Sequence, residues 1–183
     1  MNNTDPASDV PLDDSPAHRI AVAVERFGEK NVAERAASLL RGGNEGEEFL
    51  LWVGGRHAQG VLDGAPPLYW PEVWGARALN YVWDESCESA VIAGLSDRAW
   101  RVREMCARVC LGRKIGGPQS LSPLLSDENE RVRIAGARAI AEVGDAENAP
   151  ALTAMLRDPE KEVRRAAQQS LVRLAKRLDR PLA

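Results

Sequence analysis

Asp158-Pro-Glu-Lys-Glu-Val163-Arg164-Arg-Ala166-Ala167-Gln-Gln-Ser170-Leu171 is the stretch that decides the fold. Counted from Val163, small or apolar residues recur at +3, +4, +7 and +8, which is one face of an α-helix at 3.6 residues per turn. An Asp stands five residues before the Val and an Arg one residue after it. The same frame recurs upstream, in Asp127-Glu-Asn-Glu-Arg-Val132-Arg133 and in Asp97-Arg-Ala-Trp-Arg-Val102-Arg103, with steps between the Val residues of 31 and 30. The face that follows is Ala135, Gly136, Ala139 and Ile140 in one copy, and Met105, Cys106, Val109 and Cys110 in the other. Internal repetition at this period means stacked units, because one such unit cannot bury its apolar face alone.

Shorter apolar segments lie between these helices: Cys87 to Leu95, Leu121 to Leu125 and Ala149 to Leu156. Pro118, Pro123 and Pro150 stand at or near their starts, as proline does in first helical turns. Gly112, Gly116, Gly117 and Gly144 follow the long helices, where left-handed caps are expected. Each unit therefore reads as a short helix A, a turn carrying the Asp, and a long helix B.

The D-x4-V-R-x-A-A pattern resembles HEAT-like repeats, in particular the short bacterial kind also found in phycobilin lyases. The resemblance covers about residues 84–178 and is closest over Asp158 to Leu171. It implies an all-α fold, a right-handed α-α superhelix (HEAT-like solenoid), with helices B lining a concave surface. A fainter copy precedes it, where Val73, Ala76 and Tyr81 repeat the helix B spacing but Trp74 replaces the Arg. Ile20 to Phe27 and Val32 to Leu40 read as a further pair with Ser15-Pro16 as N-cap and N1, and Glu47 to Val53 as another helix A. The expected organisation is a disordered acidic tail over 1–14 and a single solenoid domain over 15–183, with about five helix pairs. Its N-terminal pairs, 15–83, are irregular, and its regular repeats span 84–178. A segment rich in Gly and Pro, 54–71, reads as a long loop between them.

Composition excludes several classes. Lys and Arg number 24 against 27 Asp and Glu, for a net charge of −3, and no apolar run approaches a membrane span. The acidic start has no apolar leader core. Three Cys without a C-x-x-C spacing argue against a disulfide framework or a zinc site and for a reducing, cytoplasmic setting. Charge is polarised along the chain: residues 1–96 carry 7 basic and 15 acidic side chains, residues 97–183 carry 17 and 12. Arg-rich composition also arises from GC-rich coding, without selection for binding.

Candidate functional residues fall in three groups. The Asp97/Asp127/Asp158 and Arg103/Arg133/Arg164 series reads as structural, an Asp of one turn pairing with an Arg of the next. Positions +2, +6, +9 and +13 of helices B lie opposite the core stripe. They and their neighbours supply Glu104 together with Arg108, Arg138, Arg165, Gln169, Arg173 and Lys176, a basic groove suited to an acidic protein surface or peptide, or to a phosphate backbone. A merely solvated face is the alternative. The third group is aromatic and basic: Arg56, His57, Tyr69, Trp70, Trp74, Arg77, Trp100 and Arg101, which could dock a partner or simply pack an irregular junction. Within it, Trp70 and Trp100 are the expected exposed members.

Chemistry is thinly represented. Cys106 and Cys110 occupy core positions, His57 has no nucleophile beside it, and no Gly-rich loop carries the residues that cradle phosphate. The reading is a non-enzymatic adaptor without cofactor or metal, binding another protein through the concave face and the aromatic region, with self-association a further option. The alternative is nucleic-acid binding, since HEAT-like alkylpurine DNA glycosylases are α-solenoids that use Trp, Arg and Asp in a concave groove, as Trp83-Asp84 and Trp100-Arg101-Val102-Arg103 resemble in composition.

Overall fold

Polar turns separate every apolar helical stripe of this chain, so its helices can bury their faces only on one another. The structure, a computed structural model, describes residues 10–179 and 181, and among these there is no strand. In order the helices are α1 (Pro16–Phe27), α2 (Glu29–Leu40), α3 (Glu47–Gly54), α4 (Arg56–Leu62), α5 (Trp70–Ala78), α6 (Glu88–Gly94), α7 (Trp100–Arg113), α8 (Pro118–Leu121), α9 (Glu130–Val143), α10 (Ala149–Ala154) and α11 (Lys161–Leu178). The chain divides into two compact units, Met1–Val91 and Ile92–Ala183.

In the second unit α7, α9 and α11 are the three helices B, and α9 packs against both of the others. Their buried residues follow the repeated frame: Val102, Cys106, Val109 and Cys110; Val132, Ala135, Ala139 and Ile140; Val163, Ala166, Ala167, Ser170 and Leu174. Helices A are short and finish or begin as 3₁₀ turns. The second breaks after Leu121 because Pro123 brings no N–H, and the segment continues as a 3₁₀ turn over Ser122–Ser126. Gly136 is required there, since a Cβ at that position would stand 2.6 Å from Leu124 Cβ.

Two capping expectations are corrected. The left-handed cap of α7 is Lys114, at φ 55°, while Gly112 lies inside the helix; Gly144 after α9 is extended, at φ −73° and ψ 179°. Its N–H still closes on the Ile140 carbonyl, and Asn148 turns the chain onward.

The first unit is built on α2 against α5, with α1 and α3 alongside. Ser15 caps α1 through the His18 N–H, with Pro16 next, as the sequence indicates. Two expectations fail. The segment 54–71 is not a continuous loop: α4 occupies its first half, and Ala58 is sealed in the core. Residues 10–14 of the expected tail are held against the first unit. Val10 is buried, and the Leu12 carbonyl accepts the Arg56 N–H at 3.2 Å. The remainder of that tail, residues 1–9, lies outside the described residues.

Candidate functional site

The turns before helices B hold the most regular polar geometry in the molecule. Each Asp carboxylate accepts the backbone N–H two residues on: Ala99, Asn129 and Glu160, at 2.7 to 2.9 Å. Each Arg reaches back along its own helix to the carbonyls of that turn, as Arg103 does to Asp97 at 2.8 Å and Arg164 to Asp158 at 2.7 Å. The other edge of the guanidinium reaches the next repeat. Arg103 binds the Asp127 carboxylate through two nitrogens at 2.7 and 2.9 Å, and Arg133 binds Asp158 at 2.8 and 3.0 Å. Both pairs are nearly buried, with side-chain exposures of 9% to 13%. Burial raises the pKa of Asp127 and Asp158, but the forked arginine and the turn N–H outweigh it, and both carboxyls end below their usual value. The two Arg–Asp steps tie repeat to repeat.

On the helix B face two adjoining clefts open. One, of about 260 Å³, is lined by Glu104, Arg108, Leu111, Arg131, Ile134, Ala135, Arg138 and Glu162. The other, of about 180 Å³, is lined by Leu111, Arg138, Ala141, Glu142, Gln169, Ser170 and Arg173. Leu111 and Arg138 belong to both. Glu104 was expected on the exposed face, yet it is only 6% exposed. It is drawn in because Arg108, at 2.7 Å, and Arg131, at 3.3 Å, both neutralise its Oε1. Arg173 is likewise committed, gripping Glu142 with two nitrogens at 2.6 and 3.1 Å. Arg165 stands 3.9 Å from Glu162, both of them exposed. Arg138 and Lys176 are exposed and, among the described residues, have no hydrogen-bond or ion-pair partner. The groove is therefore less basic than its arginines alone indicate.

Sequence reasoning missed Arg131 altogether. It stands one residue before the repeat Val, outside the face positions. The available signal was its charge complementarity with Glu104 one repeat earlier. Arg131 also lies 5.6 Å from the Trp100 ring centroid, with Arg101 over the same ring at 4.2 Å, so half-buried Trp100 is flanked by two guanidiniums.

The remaining aromatic candidates sit in the first unit. His57 meets Trp70 and Trp74 edge-on at 4.7 and 5.1 Å, and Trp70 stacks on Trp74 and touches Tyr69. Trp74 is buried to 1% exposure, which removes it as a docking residue, while Tyr69 and Trp70 are half-buried. Arg77 is also corrected: its guanidinium donates to the Val53 carbonyl at 2.8 Å, and burial pushes its pKa down. Arg56 is exposed and held by Asp13. Arg101 and Trp100 belong to the second unit, apart from this cluster in the chain's division.

Among the described residues no group of three His, Cys, Asp or Glu is placed to hold a metal, and no helix is long and apolar enough to cross a membrane. Cys87, Cys106 and Cys110 are buried free thiols, and burial raises the pKa of Cys87 and Cys106.

Residues 121–172 match a family model described as HEAT repeats. The match runs from the end of α8 to Val172 in α11, taking in one full Arg–Asp step. Together with the stacked helix pairs it supports a HEAT-like repeat fold for Ile92–Ala183. Repeats of this class are generally protein-interaction scaffolds and typically non-enzymatic. A comparison with curated proteins returned no match.

Proposed function

We propose that the protein is a non-enzymatic scaffold that holds an acidic, extended segment of a partner protein against the helix B face of its second unit. One observation carries this reading. Arg138 stands where two clefts meet and its side chain has no acceptor among the described residues, while the arginines on either side are occupied by Glu104 and Glu142. A partner carboxylate at Arg138 would gain a charge-assisted hydrogen bond that the free protein leaves unmade. Leu111 and Ile134 beside it offer apolar surface for a small side chain, so the favoured segment pairs an acidic residue with an apolar one. Three carboxylates in and around the clefts, Glu104, Glu142 and Glu162, favour such a segment over a continuous phosphate backbone.

Selection from random twelve-residue displayed peptides tests the reading. The expected outcome is enrichment of Asp or Glu next to an aliphatic residue. Arg138→Glu should weaken the selected peptides at least ~10-fold, the scale of losing one charge-assisted bond and gaining a repulsion, with the helical melting curve unchanged. Enrichment of basic peptides, or full affinity in Arg138→Glu, would sink it. A steep fall of affinity for single-stranded DNA with salt, stronger than for any peptide, would favour the nucleic-acid alternative instead.

A further inference from the structure

One position of the repeated frame changes its chemistry without changing its register. Seven residues after the repeat Val stand Val109 in α7 and Ala139 in α9, both fully buried, and Ser170 in α11, 2% exposed. Alanine is the better helix former, and a core position asks for no oxygen. Among the described residues the Ser170 hydroxyl has no hydrogen-bond partner, not even the carbonyl one turn back, the usual recourse of a serine inside a helix. A buried hydroxyl in that state is unfavourable, because it has given up water and gained no bond.

Ser170 also lines the second cleft, together with Leu111, Arg138, Glu142 and Arg173. Arg173 and Glu142 hold each other there. The cleft thus presents one uncommitted guanidinium, which can only donate, and one uncommitted buried hydroxyl, which can donate one hydrogen. A carboxylate has two oxygens to meet two donors, whereas a carboxamide has one.

We propose, resting on the binding reading above, that Ser170 is a specificity-determining residue of the helix B face. Its hydroxyl donates to one oxygen of the partner's carboxylate while Arg138 takes the other. The acidic residue then sits between α9 and α11. Its aliphatic neighbour sits in the first cleft, against Leu111 of α7 and Ile134 of α9.

Isothermal titration calorimetry tests this with the acidic peptide most enriched in the display selection, and with the same peptide carrying alanine at its acidic residue. Ser170→Ala places in α11 the residue that α9 carries, so the helices should stay folded, with a melting temperature no lower than that of the unaltered protein. Its affinity for the acidic peptide should fall about 10-fold, the scale of one hydrogen bond to a charged group. Its affinity for the alanine peptide should match that of the unaltered protein. If Ser170→Ala keeps full affinity for the acidic peptide while Arg138→Glu loses it, the role of Ser170 is overturned and the reading of the face stands. An equal loss with both peptides overturns it as well, since the hydroxyl then acts on packing and not on the carboxylate. Full affinity in Arg138→Glu, or a selection without acidic peptides, overturns both.

Discussion

The two units solve the same problem, fixing helix ends with buried arginine, in different ways. In Ile92–Ala183 the guanidiniums meet carboxylates, and the solution is used twice with nearly identical distances. In Met1–Val91 they meet backbone carbonyls. Arg19, only 4% exposed, donates to the Trp52 carbonyl at 3.1 Å and to the Asp14 carbonyl, and Arg77 donates to the Val53 carbonyl. Two arginines thus converge on the C-terminal end of α3, where the unsatisfied carbonyls and the helix dipole favour cations. The comparison teaches that a repeated device depends on an ionisable acceptor, whereas a device used once rests on groups that do not titrate in acid.

The largest effect that would break the comparison is expected at Arg19. Arg19→Met leaves carbonyls of Trp52 and Asp14 without donors and should cost about 3 kcal/mol, the scale of opening a buried hydrogen-bonded charge site. Thermal unfolding of the purified variant measures it, and a loss below about 1 kcal/mol would show that water replaces the guanidinium freely. Asp158→Ala comes next, at about 2–3 kcal/mol, because Arg133 is left nearly buried without its carboxylate and the turn loses its Glu160 contact. Asp158→Asn keeps the turn acceptor and should lose less.

Acid sharpens the contrast. Asp127 and Asp158 have folded-state pKa values below the ordinary value near 3.9. Their contribution is therefore fully present above that unfolded value and is lost as pH falls through the depressed folded values. Denaturant midpoints followed from pH 6 to pH 2 should drop below about pH 4, and Asp127→Asn with Asp158→Asn should flatten that fall. An unchanged acid limb in the double variant would mean that other carboxylates dominate it. The N-terminal strap is the last element to test. Removing residues 1–14 takes away buried Val10, the Leu12 carbonyl that accepts the Arg56 N–H and the Asp14 carbonyl that accepts Arg19, and should lower the melting temperature. An unchanged melting temperature would show that the strap only rests on the surface.

What was legible in the sequence follows the same division. That the Asp and Arg series pair between repeats was legible because a spacing that recurs announces a contact that recurs. The direction is the reverse of the expected one, Arg103 and Arg133 reaching forward to Asp127 and Asp158. Helical periodicity placed Val102, Val132 and Val163 in the core. The α4 helix could not be read through Gly54, Gly55 and Gly60. Its formation depends on Ala58 packing, which no local pattern encodes. Trp74 appeared in an aromatic cluster whose burial is decided by α2, since Gly75 brings the α5 backbone so close that a Cβ would stand 2.5 Å from the Ala36 carbonyl oxygen. In the candidate groove the arginines at Arg108, Arg138 and Arg173 were visible, but the neutralisation of Arg108 by Glu104 and of Arg173 by Glu142 was not. Glu104 and Glu142 act across helices and turns, and a periodic reading assigns each helix its face without assigning its neighbour's charge.

The distribution of indoles has an optical consequence. Trp52, Trp70, Trp74 and Trp83 all belong to Met1–Val91, and Trp100 alone belongs to Ile92–Ala183. Intrinsic fluorescence of the native chain therefore reports chiefly on one unit, while Trp100, between Arg101 and Arg131, is the sole emitter of the other. Trp100→Phe would silence that unit, and the difference spectrum would isolate a single chromophore beside the Glu104–Arg131 pair. The protein thus carries its own spectroscopic label at the margin of the cleft.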